Sequence, residues 1–222
     1  MFDLATIEIN DDDVNTILPY DSSLMPFTQL TTNLTGYLEQ HHALYSEVPV
    51  KGTYWEKLYA LSLITKFPNT ALSWKHGSHG VGSDITFGDT RISNKSGSIV
   101  GRHKDRVNIG GKRLESLKGD IEAIKLHIEQ SKTEDYHCCL STYNTLPKNT
   151  PANTMVYELL VFPHTLIDFT SGEWTTYGTH NNLRFVDKYG AKVEVHQTAS
   201  YQMWYNLPLK KAVFREQIKI KY

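Results

Sequence analysis

Apolar residues recur along the chain at two different spacings, and each spacing predicts one kind of element. Spacings of three and four residues in segments 27–39, 53–67 and 114–130 predict amphipathic helices. Short segments rich in apolar, β-branched and aromatic residues predict strands at 70–74, 83–87, 91–96, 106–109, 137–143, 155–162, 183–186 and 191–195. We therefore expect an α/β or α+β fold, in which helices flank a mixed β-sheet and the C-terminal part is β-rich.

Segment 82–97 predicts a tight β-hairpin that brings charged side chains together. Its turn falls at Gly88, which can take a positive φ. Side chains two positions apart share one face of a strand, so Ser93 and Lys95 point the same way. If the hairpin pairs in register, Asp84 lies close to both of them.

An acidic side chain beside a lysine on a rigid hairpin has two interpretations. Asp84 can hold Mg²⁺, which takes one or two protein carboxylates and keeps water and phosphate oxygens at its other positions. Lys95 would then lie beside a water that is polarised against a phosphate. Alternatively, the pair is a cross-strand surface salt bridge, which contributes little to stability.

The residues around this pair resemble the nuclease core of the PD-(D/E)XK superfamily, especially the type II restriction endonucleases. In that family an Asp precedes an acidic-x-Lys triplet on the next strand. Here Gly82-Ser83-Asp84-Ile85 and Ser93-Asn94-Lys95 match the two motifs, and the resemblance covers roughly residues 52–125. The acidic position of the triplet holds Ser93; some members carry Ser or Asn there and draw a carboxylate from a helix instead.

The resemblance implies an activity and a set of partners. It implies a Mg²⁺-dependent endonuclease that cuts double-stranded DNA at a short sequence. Asp84 would be a metal ligand, Lys95 would orient the attacking water, and Ser93 would stand in the acidic position. The resemblance also implies a homodimer, because two active sites cut two strands, and a location in the bacterial cytoplasm.

Two further carboxylates are candidates for completing the metal site. The helix Glu of the family falls on Glu56, within the predicted helix 53–67. Glu56 also follows Thr53 by three residues, a spacing typical of a capping box, so a purely structural role is an alternative. Glu115 is the other candidate, and a solvated helix face is its alternative.

Charge is distributed unevenly along the chain. The protein has 222 residues and a formal net charge of −1, yet no Lys or Arg precedes Lys51. The remainder is therefore basic and can attract a polyanion, although such segregation also occurs in proteins that bind no nucleic acid. We expect one domain, with an acidic subregion at 1–50, a catalytic core at 52–165 and a DNA-contacting subregion at 166–222.

Hydropathy and cysteine content bear on the location of the protein. No apolar run approaches the roughly 20 residues of a membrane span, so we expect no membrane partner. The two cysteines, Cys138 and Cys139, are adjacent and cannot easily bridge to each other. Their placement suits a reducing cytoplasm.

Polar and basic residues outside the catalytic pair are candidates for DNA contact. Basic side chains neutralise phosphates, and Gln can pair with adenine in the major groove. The predicted DNA-binding residues are His79, Asn94, Arg102, Lys104, Arg106, Lys112, Arg113, Ser200 and Gln202. His76 and His79 could instead bind zinc, but the sequence offers no matching Cys or His pair at the spacing of a structural site.

Two other functions remain open at this point. Ser93 in the acidic position favours a non-catalytic DNA-binding protein with a degenerate nuclease fold. The thirteen tyrosines and four tryptophans favour a β-rich module that binds carbohydrate or a protein partner. The second alternative leaves the helical middle of the chain and its basic residues unexplained.

Overall fold

The structure is a computed structural model that describes residues 27, 29–74, 84–130, 134–198 and 201–222. Within these ranges the helices are α1 (Thr31–Tyr45), α2 (Gly52–Lys66) and α3 (Ile121–Gln130). The strands are β1 (Leu72–Trp74), β2 (Ile85–Phe87), β3 (Thr90–Val100), β4 (Arg106–Arg113), β5 (Tyr136–Tyr143), β6 (Thr154–Pro163), β7 (Glu173–Tyr177), β8 (Asn182–Val186), β9 (Lys192–His196), β10 (Gln202–Pro208) and β11 (Phe214–Lys221). Short 3-10 helices lie at Glu115–Leu117 and Leu209–Lys211. None of the helices in these ranges has both the length and the apolar character that crossing a bilayer requires.

The strands form one large mixed sheet. Its order is β11-β6-β5-β3-β4-β10-β9-β8-β7, and β2 joins it through β3 while β1 pairs with β2. The β3–β5 pair is parallel and the other described pairs are antiparallel. Parallel neighbours need a crossover connection, which here contains β4 and α3. The mixed α+β architecture and the β-rich C-terminal part are therefore confirmed.

Helices cover both faces of the sheet, and strand alternation decides which core each side chain joins. On one face α1 and α2 pack over Ile92 and Cys138. On the opposite face α3 packs over Ile99 and Cys139. Because successive side chains of a strand point to opposite faces, the adjacent cysteines enter two separate cores. We call the side that carries Cys139 the α3 face.

The first predicted helix ends later than its pattern indicated. Residue 39 was its predicted end, whereas α1 continues to Tyr45. His42 in this extension is 1 % exposed, and its Nε2 lies 2.8 Å from the hydroxyl oxygen of Tyr157. Burial lowers the pKa of His42. The contact with Tyr157, 115 residues away in the sequence, is what allows this histidine to be buried, and a local pattern does not show such a contact.

Two predicted helix starts are also corrected. The helix predicted from residue 114 begins only at Ile121, where Asp120 accepts a hydrogen bond from the N–H of Ala123 at 2.9 Å. The preceding Gly119 has a φ of +86°, which is incompatible with a continuous helix. Helix α2 follows Lys51, so Thr53 lies inside the helix and the predicted capping box is wrong.

Candidate active site

The β2–β3 hairpin sets the position of Asp84. Ile85 pairs with Ile92, and the turn contains Gly88 with a φ of +57°. Extending this register by one residue places Asp84 opposite Ser93. The predicted hairpin and its register are therefore confirmed.

One carboxylate oxygen of Asp84 receives three contacts from β3. Its Oδ2 accepts hydrogen bonds from Ser93 Oγ at 3.1 Å and from the N–H of Asn94 at 2.7 Å. The Nζ of Lys95 lies 3.5 Å from the same oxygen. The side chains of Lys95 and Asp84 are 29 % and 20 % exposed, so the pair is reachable from solvent. Within the described part of the chain no hydrogen bond reaches Oδ1.

The sheet is open where this carboxylate lies because β3 changes partner along one edge. Its first residues pair with β2 as far as Ile92, and its last residues pair with β4 from Gly97 onward. In the described chain no strand pairs with residues 93–96 on that edge, although β5 continues along the other edge. Asp84 takes the place of a neighbouring strand by accepting the N–H of Asn94. The fork between β2 and β4 thus creates the opening beside Lys95.

The side chain of Asn94 points away from this opening. Ser93 and Lys95 lie on the α3 face, and Asn94 between them lies on the opposite face. Asn94 is 4 % exposed, and neither atom of its amide has a hydrogen-bond partner among the described residues. A buried side chain of this kind does not suit the predicted contact with DNA.

Strand β5 brings a histidine next to the pair. His137 lies opposite Ser93 in the parallel β3–β5 ladder and therefore shares its face. Burial lowers the pKa of His137 to about 4; the negative charge of Glu134 opposes this shift and the positive charge of Lys95 adds to it. The imidazole is therefore neutral near neutral pH. Its Nδ1 is buried without a hydrogen-bond partner in the described ranges, which is uncommon for a buried polar atom.

The sequence did not single out His137 or Glu134. The strand that carries His137 was predicted, but its parallel pairing with β3 joins segments more than forty residues apart. The register of such a pair depends on the whole sheet, whereas a hairpin register is set locally. The feature of the sequence that could have indicated His137 is its position at the start of a strongly apolar strand.

The two predicted additional carboxylates lie on separate elements. Glu56 is partly buried in α2, which covers the sheet face opposite Lys95. Glu115 is exposed in the 3-10 helix Glu115–Leu117. Within the described ranges, no three His, Cys, Asp or Glu side chains are grouped so that they could hold a metal ion. The structure thus does not assemble Asp84, Glu56 and Glu115 into one group, and the roles of the two glutamates stay predictions.

Three of the predicted DNA contacts lie near the opening. Lys112 and Arg113 end β4, and Lys112 lines a cavity together with Lys95. Gln202 lies opposite Arg113, accepts a hydrogen bond from its Nε at 3.4 Å and donates one to the carbonyl of Gly111 at 2.8 Å. These residues give the rim of the opening positive charge and amide groups.

Three other predicted contacts lie at the far end of the β3–β4 hairpin. Arg102, Lys104 and Arg106 follow the end of β3, roughly 16 Å or more from Lys95 at about 3.3 Å per residue. Arg106 donates to the carbonyl of Gly190 at 2.6 Å, and Lys104 donates to a backbone carbonyl at 2.6 Å. Both side chains therefore have partners within the fold.

The remaining predicted contacts, His79 and Ser200, lie outside the described residues, as does His76.

Comparisons of this chain with protein-family models, with curated proteins and with solved structures gave no match.

Proposed function

We propose that this protein is a Mg²⁺-dependent endonuclease that hydrolyses phosphodiester bonds in double-stranded DNA. One observation supports the proposal: the partly exposed carboxylate of Asp84 lies 3.5 Å from a lysine ammonium at an opening in the sheet, and only one of its oxygens accepts hydrogen bonds from the described residues. The arrangement agrees with the motif order of the PD-(D/E)XK nucleases, in which the Asp precedes the strand that carries the lysine. Cleavage at a short sequence by a homodimer in the bacterial cytoplasm belongs to the same proposal.

The chemistry of Asp84 fits a magnesium ion. Mg²⁺ prefers oxygen ligands and commonly binds proteins through one or two carboxylates, with water and phosphate oxygens as its remaining ligands. Oδ1 supplies one such oxygen, and Ser93 and the Asn94 N–H hold the other oxygen in place. When bound, the ion would neutralise phosphate charge and lower the pKa of a water. Glu56 and Glu115 remain candidates for a second carboxylate.

Lys95 is the side chain that acts directly on the attacking water and on the phosphate. Its ammonium is a donor in three directions and lies next to the oxygen of Asp84. It orients the attacking water and stabilises the negative charge that develops on the phosphate in the transition state. Lys112 and Arg113 hold the DNA backbone at the rim, because basic side chains there replace the counterions of the phosphates.

Cleavage of plasmid DNA tests this proposal. We expect the wild-type protein to cut with Mg²⁺ and not with EDTA, and Asp84→Asn and Lys95→Ala to slow cutting by about 10³-fold or more. Asp89→Asn in the exposed turn of the same hairpin and Lys219→Ala on an exposed position of β11 are matched controls that should cut at the wild-type rate. Cutting that survives in Asp84→Asn and Lys95→Ala would refute the mechanism.

A non-catalytic DNA-binding protein is the second candidate. Ser93 occupies the acidic position and uses its hydroxyl to bind Asp84, and the described chain offers no group of three metal-ligating side chains. Duplex binding that weakens with salt, without any Mg²⁺-dependent cutting, would select this candidate over the nuclease.

A further inference from the structure

A cavity of about 290 Å³ opens beside Lys95 on the α3 face of the sheet. Lys95 of β3, Gly111 of β4 and Tyr205 of β10 form its floor. The end of α3 and segment 164–170 form its other walls. The cavity is thus continuous with the candidate active site and extends from it into the hydrophobic core on the α3 face.

Hydrogen bonds hold the walls of this cavity in place. Lys211 donates to the carbonyl of Leu166 at 3.0 Å and to Asp187 at 2.9 Å, and Asp187 also accepts the N–H of Asp168 at 3.2 Å. On the helix side, Trp174 donates to Glu129 at 2.8 Å. A ligand would therefore enter a preformed space and would have little chain to order on binding.

The lining combines flat apolar surface with a few polar groups. The apolar and aromatic side chains are Ile128, Leu166, Ile167, Phe169, Met203 and Tyr205. The polar groups include His127, His137 and His164, with Lys95 and Lys112 as cations. Three carboxylates also line the cavity, those of Glu129, Glu134 and Asp168. Glu129 accepts from Trp174, and Asp168 accepts from Thr170 and faces Lys188. Stacking surface and hydrogen-bonding groups are what a nucleobase requires, and Lys95 lies where the cavity meets the proposed phosphate site.

The size of the cavity limits what it can hold. Its volume lies at the small end of the range for ligand pockets, about 300–1,000 Å³. This space suits one nucleotide and excludes a stacked base pair. A base that remains stacked inside a duplex cannot reach such a space, so it would have to leave the stack.

We propose that this cavity receives the nucleotide beside the scissile phosphate, unstacked from its neighbours, so that the strand is cut fastest where it is locally unpaired. The inference depends on the proposed function, because Lys95 belongs to both sites. A phosphate held at Asp84 and Lys95 has its own nucleoside within reach of the cavity. Unstacking a base costs more free energy in a perfect duplex than at a mismatched or single-stranded position. The cavity therefore adds a preference for locally unpaired positions to any DNA sequence that the protein recognises.

Calorimetric titration with the four deoxynucleoside 5′-monophosphates, in EDTA, tests the cavity without cleavage. We expect at least one of them to bind the wild-type protein. Thr165→Trp, at an exposed position of the cavity rim, should weaken this binding at least tenfold by filling the entrance. Thr145→Trp, at an exposed position away from the lining, is the matched control and should bind as the wild type does. Absence of binding, or equal binding by Thr165→Trp, would overturn the inference.

Cleavage of labelled oligonucleotides tests the position of the nucleotide. With Mg²⁺, we expect a duplex with one unpaired nucleotide to be cut at least tenfold faster at that position than the perfect duplex, and Thr165→Trp to remove this preference. Equal rates on the two substrates would refute the inference and leave the proposed nuclease intact. Mononucleotide binding without Mg²⁺-dependent cutting of any substrate would instead refute the nuclease and retain the cavity as a nucleotide site.

Discussion

Two acid–base pairs on the same face of the sheet differ in how many hydrogen bonds and ion pairs their carboxylate oxygens make. Glu158 on β6 has a side chain with no exposed surface, and it binds Arg215 at 2.9 and 3.2 Å, Gln217 at 2.9 Å and the hydroxyl of Tyr143. Both of its oxygens are occupied. Asp84 is partly exposed, and among the described residues its contacts fall on one oxygen, Oδ2.

The difference shows why an ion pair by itself does not identify a site. Burial alone would raise the pKa of Glu158, but hydrogen bonds from Arg215, Tyr143 and Gln217 outweigh it and hold that pKa below its ordinary value. Such a carboxylate is satisfied and has a structural role. In the described chain the second oxygen of Asp84 accepts no hydrogen bond, and a partly exposed carboxylate of this kind can bind a ligand. The comparison predicts that mutations at the first pair change stability and mutations at the second change activity.

The largest expected change in stability comes from Arg215→Met. This substitution leaves the fully buried carboxylate of Glu158 without its cation. Breaking a buried pair in this way costs about 3–5 kcal/mol. The side chain of Arg215 is 48 % exposed, so we expect the lower end of that range, about 3 kcal/mol. Urea unfolding with an unchanged m-value measures the loss.

Lys219→Met on the same strand is the control for Arg215→Met. Lys219 is exposed and lies on the same strand face as Arg215. Its replacement should change the free energy of unfolding by less than about 0.5 kcal/mol. Equal losses in the two variants would mean that Glu158 is not the reason for the destabilisation.

The sequence correctly predicted that Asp84 and Lys95 lie close together, because a hairpin is a local structure. Alternation fixes the face of each side chain, and a short turn fixes the register. Glu158 and Arg215 are 57 residues apart in the sequence, and no local pattern indicates that they pair. The same reason applies to His137, whose position beside Ser93 depends on the parallel β3–β5 register. Local pattern therefore predicted the strands and the contact between Asp84 and Lys95, whereas the residues around this pair depend on pairing between distant strands.

The next largest change is a loss of stability in mild acid that His137 causes. Its pKa is lowered from 6.5 to about 4, so at intermediate pH the unfolded chain binds a proton that the folded protein does not. The free energy of unfolding therefore falls as the pH is lowered from 6.5 toward 4. Between about pH 7.5 and about pH 5 this amounts to about 2 kcal/mol.

Urea unfolding across this pH range, with and without His137, measures the contribution. His137→Asn should show a shallower fall than the wild type, because the group that titrates differently in the two states is gone. His180→Asn, in the exposed turn between β7 and β8, is the matched histidine control and should keep the wild-type slope. Parallel curves for wild type and His137→Asn would contradict a buried neutral imidazole.

The smallest expected change in stability is that of Asp84→Asn. An asparagine retains an oxygen that can accept the hydrogen bonds from Ser93 and from the N–H of Asn94. Only the attraction to Lys95 is lost, and this pair is partly exposed and screened by solvent. We expect the free energy of unfolding to change by less than about 1 kcal/mol.

The same variant separates the two pairs most sharply when unfolding and cleavage are measured together. Asp84→Asn should shift the urea midpoint only slightly and lose the Mg²⁺-dependent cutting. Arg215→Met should lose stability and still cut under conditions where it remains folded. A fall in stability of Asp84→Asn as large as that of Arg215→Met would show that Asp84 is a structural carboxylate. In that case the negative charge of Asp84 would be needed to fold the hairpin, and its loss could not be interpreted as the loss of a ligand site.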